Sequence, residues 1–163
     1  MAVRLRHILQ RFQSHLGEDD TLATWCTEHL GRPALIQVGN EPTDDPTMWR
    51  VPAVVMVPER RDAGQAVEEH RGVIFVECRL QAEGITPDSG EPRPVRAYDG
   101  VYLLDEFSEE VAAALARALS GTPVDLDILG ETMDTQEFYP VMVADIRVTV
   151  TIPVYMGGEI TLE

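Results

Sequence analysis

Residues 141–155 read Val-Met-Val-Ala-Asp-Ile-Arg-Val-Thr-Val-Thr-Ile-Pro-Val-Tyr, and every even position from Met142 to Val154 is apolar. The odd positions include Asp145, Arg147, Thr149 and Thr151. Side chains alternate between the two faces of a strand, so this pattern predicts a strand with one buried side. At about 3.3 Å per residue it would run roughly 45 Å, across a whole small domain. The core must therefore be built on its even face. Asp145 and Arg147 lie on the other face, which either meets solvent or meets another subunit.

Other apolar patterns supply what covers that strand. Leu5, Ile8, Leu9, Phe12 and Leu16 repeat with helical spacing, predicting a helix over about 3–15 that Gly17 ends. Leu22, Trp25, Cys26 and Leu30 predict a second helix, with Asp20 or Thr21 as its cap and Gly31 as its stop. A third opens at Asp99 or Gly100 and keeps its period through Leu104, Val111, Leu115 and Leu119 to Gly121. Strands are expected over 34–38, 51–57 and 73–80, the last with Ile74, Val76, Cys78 and Leu80 on one face. Between the last two lie about fourteen polar residues, 58–72, which read as the long tip of a hairpin. Such a tip stays solvated or orders on a partner, and its candidate contact residues are Arg60, Arg61, Glu68, Glu69 and Arg71. The stretches 39–50 and 81–97, rich in Pro and Gly, read as loops, and Trp49 as a lid on the core. Pro123 opens a further strand, with Val124, Leu126 and Ile128 facing one way and Asp125, Asp127 and Glu131 the other. A turn over 134–140 then makes the last two strands a long antiparallel hairpin. The expected class is α+β: one domain over 1–163, a mixed, mainly antiparallel sheet with long hairpins, and helices packed on one face.

Charge narrows the function. The chain carries 28 acids against 13 bases, a net −15. Grip on nucleic acid comes from cations that neutralise phosphates, so tight DNA binding is not expected. No apolar run approaches the ~20 residues of a membrane helix. Cys26 and Cys78 are isolated and read as buried free thiols. The histidines at 7, 15, 29 and 70 lack the pairing of a zinc site. There is no nucleophile elbow, phosphate loop or dinucleotide fingerprint. Asp125, Asp127 and Glu131 could hold a divalent cation in a small enzyme, or form an acidic face toward solvent or a lumen.

The order of elements, with Leu35-Ile-Gln-Val-Gly-Asn-Glu-Pro and Val51-Pro-Ala-Val-Val-Met-Val-Pro in the middle of the chain, resembles the tail-terminator and tail-completion proteins of long-tailed bacteriophages and prophages. That resemblance implies helices on a mixed sheet and six copies in a ring that caps the tail tube and joins it to the head. It also implies a virion protein, assembled in the host cytoplasm, without catalysis, metal or cofactor. Its partners would be further copies of itself, the tail-tube protein and a head-tail connector, with DNA passing without being gripped and no membrane involved. Two alternatives are another head-tail joining protein, of the neck or head-completion kind, and a small metal-dependent α/β enzyme.

Overall fold

The computed structural model describes residues 4–63, 69–86 and 96–153, without the side chains of 60–63 and 69. The chain runs α1 (Leu5–Gly17), α2 (Asp20–Leu30), β1 (Leu35–Val38), a 3-10 turn (Pro46–Met48), β2 (Ala53–Ala63), β3 (Glu69–Gln81), β4 (Ile85–Thr86), β5 (Ala97–Tyr98), α3 (Asp99–Leu119), β6 (Asp125–Asp134) and β7 (Val141–Pro153). Five strands form one sheet in the order β1-β2-β3-β7-β6, and β4 pairs with β5 in a small second sheet. β1 runs parallel to β2, and every other neighbouring pair in the large sheet is antiparallel. All three helices pack on one face of that sheet. The class is α+β, as the alternation and the helical periods predict.

The long C-terminal strand is β7, and it sits inside the sheet between β3 and β6. Met142, Ala144, Ile146, Val148, Val150 and Ile152 all point under the helices and are buried. Val154 lies outside the described residues. Opposite them on β3, Ile74, Val76, Cys78 and Leu80 are completely buried. Burying a large aliphatic side chain fully contributes about 1.5–3 kcal/mol, so this double row is the main driving force of the fold.

The helices carry matching stripes. α1 buries Ile8, Leu9, Phe12 and Leu16, and α3 buries Leu104, Phe107, Val111, Leu115 and Ala118. Arg11 Nε donates to the Ala118 carbonyl at 2.6 Å and ties α1 to the end of α3. α1 crosses β3 at Gly72, where a Cβ would stand 2.6 Å from Leu5 Cδ1. A methyl group added there would require the end of the Leu5 side chain to shift. The cap of α2 is Asp19 rather than Asp20 or Thr21. Its carboxylate accepts from Leu22 N at 2.8 Å and holds Arg117 through both oxygens, at 2.8 and 2.9 Å. A carboxylate that also reaches Arg117 on α3 wins over one with only the local bond. Gly31 ends the helix at φ 85°, as expected.

Two further expectations are corrected. The polar segment 58–72 is not a fourteen-residue tip. β2 and β3 continue through it as a paired ladder, Arg60 opposite Val73, Arg61 opposite Gly72, Asp62 opposite Arg71 and Ala63 opposite His70. Polarity reads as loop because this arm has no apolar period, yet pairing of β3 with β7 as far as Glu69 opposite Pro153 imposes the strand. The second correction lies in β6. The register slips between Ile128 and Gly130, leaving Leu129 as an extra residue. Asp125 and Asp127 pair with Thr151 and Thr149 on the face away from the helices, whereas Glu131 pairs with Ile146 on the helix side. The three acids do not share a face.

Candidate functional site on the open face of the sheet

Away from the helices, part of the sheet is covered by other described residues. The cover is the connection between β1 and β2, residues 39–52, with Phe138 from the turn before β7. Beneath it Ala53, Val55, Val141 and Val143 are buried. Trp49 is therefore a lid, but on this second face and not on the helical core. Its ring meets Phe138 edge-on at 5.4 Å and lies 4.0 Å from the Arg79 guanidinium carbon.

Arg79 organises this region. It is only 3% exposed, and Ser108 is the other buried polar residue among those described. Its Nη1 donates to both carboxylate oxygens of Glu41 at 2.7 Å, and its Nε donates to Glu77. Burying a guanidinium is costly unless its donors are paired. Two carboxylates and the Trp49 face meet that condition. Burial works to raise the Glu41 carboxyl, and its bonds to Arg79 outweigh this and hold it below the usual range. The clamp ties a loop that has little regular structure onto the sheet.

Next to the clamp stands a second carboxylate pair. Asp145 on β7 is directly opposite Glu77 on β3. Its Oδ1 is buried and has no hydrogen-bond partner among the described residues. Burial, then the charge of Glu77 and a hydrogen bond with it, push Asp145 up to about 6, against the pull of Arg79. Asp134 on β6 adds to the rise. Farther along, Arg147 pairs with Glu59 at 3.1 Å and lies 5.1 Å over the Phe75 ring. Both partners of that ion pair are exposed, so it contributes about 0–1 kcal/mol.

The residues singled out in the sequence fall into two places. Arg60, Arg61, Glu69 and Arg71 lie in the β2–β3 arm, and Glu68 lies outside the described residues. Asp125 and Asp127 are exposed at the far edge of the open face, with Glu131 turned to the other side. No group of three or more His, Cys, Asp or Glu is placed to hold a metal ion among the described residues. Cys26 and Cys78 are buried free thiols, pushed up by burial, Cys26 to about 11 and Cys78 well above its ordinary value. Neither is a thiolate at neutral pH, the form a nucleophile needs. A groove of about 360 Å³ at the start of α3 is lined by Tyr98, Val101, Thr135, Gln136, Tyr139 and Met142. No helix among the described residues is long and apolar enough to cross a membrane.

Comparison of the sequence with protein-family models and with curated proteins gives no match.

The Arg79 clamp escaped the sequence reading because its partner Glu41 lies 38 residues upstream in a loop. The one local signal was Glu77-x-Arg79, opposite charges two apart on a strand and hence on one face.

Proposed function

We propose that this chain is a structural subunit of a phage-type tail, a terminator that forms a ring of six, stops growth of the tail tube and offers a docking face to the head. The observation that carries the reading is a sheet whose described helices all lie on one face and whose long β6 has no second strand beside it among the described residues, in a chain of net charge −15. Unpaired edges are sites for neighbouring chains. A strongly acidic ring lets DNA through without holding it. The order of elements, helix-helix-strand-hairpin-helix-hairpin, supports the same family. Partners on this reading are further copies, the tail-tube protein and a connector at the head. The related role of a neck or head-completion subunit shares the ring and differs in its partner.

Deleting the gene tests the proposal. Tails of irregular length that do not join heads are expected. Tails of normal length and normal joining would overturn it. Tails of normal length that fail to join heads would shift the reading to the neck subunit.

A further inference from the structure

Two neighbouring rows of residues cross the open face. One runs Val55, Glu77, Asp145 and Thr132 over β2, β3, β7 and β6; the next runs Ala53, Arg79, Val143 and Asp134. Two carboxylates thus stand directly opposite each other in the first row, a placement that is unfavourable when both are charged. Arg79 lies diagonally from Asp145, but its Nε serves Glu77 and its Nη1 serves Glu41. The buried Asp145 Oδ1 accepts from no donor among the described residues. A proton on the pair resolves the conflict, because one carboxyl then donates to the other. Burial and then the Glu77 charge push Asp145 up to about 6, in keeping with that arrangement.

The same cluster holds down the connection over 39–52. Arg79 grips it twice, through the Glu41 carboxylate and through the Trp49 ring. The charged groups around Asp145 are Glu77 and Arg79 on β3, Asp134 on β6 and Glu41 in the connection. Asp134 is itself engaged by the N–H groups of Gln136 and Glu137, at 3.0 and 2.9 Å, and by the Glu137 carboxyl. Arg147, two residues along β7, is paired with Glu59. When Asp145 is ionised, one guanidinium therefore answers to three carboxylates. Glu77 and Asp145 are fixed on paired strands. Glu41 sits in a connection whose one described regular element is the 3-10 turn Pro46–Met48, so it is the carboxylate free to leave.

We infer that the Glu77–Asp145 pair is a proton-controlled latch on the 39–52 connection: with a proton on the pair Arg79 keeps Glu41 and the connection stays down, and without it the connection opens more often. Opening removes the Glu41 charge from the cluster and admits water, and both favour the ionised Asp145. The carboxyl is then more acidic in the open form than in the closed one. Closure is fully favoured below the open-form value and weakens as pH rises through the closed-form value near 6. A difference of about one unit makes opening about tenfold more frequent at pH 7 than at pH 4.5. The closed form remains the main one, and the opening is a local fluctuation of the fold.

Amide exchange of the full chain, corrected for its intrinsic pH dependence, tests the latch. The reporters are the Gly39 N–H, which donates to the Met56 carbonyl at 2.9 Å, and the Trp49 N–H, which donates to the Pro46 carbonyl at 3.2 Å. Val148 in β7 is the reference. In the wild type, protection at Gly39 and Trp49 should fall about tenfold from pH 4.5 to pH 7 while Val148 holds steady. In Asp145→Asn, neutral at both pH values, protection should stay at the acid level throughout. The wild-type Asp145 carboxyl carbon signal should titrate over the same range, a check that needs no variant. Wild-type protection that ignores pH, or that falls equally at Val148, would overturn the latch. So would a fall that persists in folded Asp145→Asn, or an Asp145 signal that titrates outside that range.

Discussion

The two faces of the sheet are made from the same strands and held by different physics. Under the helices, Ile146, Val148 and Val150 meet Ile74, Val76 and the stripes of α1 and α3, and no fully buried charged residue lies there among those described. On the open face the same strands present Glu77, Arg79, Asp145 and Arg147, and order comes from one buried guanidinium and the loop it pins down. The first face is cheap to specify, because any aliphatic side chain of suitable volume serves. The second depends on pairing, and each charge removed leaves another uncompensated.

The contrast is broken most sharply by the same charge placed on either side. Val148→Asp buries an unpaired carboxylate under the helices and should cost about 4 kcal/mol or more, a large part of the stability of an ordinary domain. Thermal melting at neutral pH should show an unfolded or barely folded chain. On the open face the largest effect belongs to Arg79. Arg79→Met should cost about 3 kcal/mol, since Glu41 and Glu77 lose the cation that their burial requires. It should also free the 39–52 connection, read as faster amide exchange at Trp49 with little change in β7. Exchange that rises equally in both places would mean the two faces are not independent.

Asp145 gives a prediction with a pH signature. Its carboxyl titrates near 6 in the fold against an ordinary 3.8. Below about pH 4 it is protonated in both states and contributes nothing. As pH rises from 4 to 6 the unfolded chain has released the proton that the folded state still holds, so unfolding gains and stability is lost, and the full penalty stands above pH 6. Asp145→Asn should therefore stabilise the fold above pH 6 by on the order of 1–2 kcal/mol after allowing for its partial exposure, read as a higher melting temperature, and change nothing below pH 4. The groups facing it, Glu77, Arg79 and Asp134, remain in the variant. An increment equal at both ends of the range would remove the carboxyl pair as its cause. Smallest of all, Thr149→Asp lies one residue from Val148 on the half-buried outer face and should cost about 1 kcal/mol or less. If it melts like Val148→Asp, the assignment of faces is wrong.

Much of the helix-covered half was legible because periodicity is a local signal. The parity of β7, the stripes of α1 and α3 and the Gly31 stop are each visible within a dozen residues. The open face was not, since its order depends on distant pairs. Glu41 meets Arg79 and Trp49 meets Phe138 only after folding. The acids of β6 were misjudged because Leu129 shifts the phase of the strand. Gly130 beside it, a glycine inside a strand pattern, was the available hint. The β2–β3 arm was misread for a related reason, since its strand character comes from β7 and not from its own residues.

That extra residue makes the chain locally tolerant in length. Ile128 and Gly130 already pair with consecutive residues of β7, Val148 and Arg147. An in-frame loss of Leu129 would leave every later side chain of β6 on the side it now occupies. Loss of Leu126 or Asp127 would instead slip the strand and turn one half of it over. Glu59 is placed likewise in β2, between Pro58 and Arg60, though its removal also takes away the partner of Arg147. The sheet thus has two joints where one residue can come or go while the alternation of inside and outside is kept.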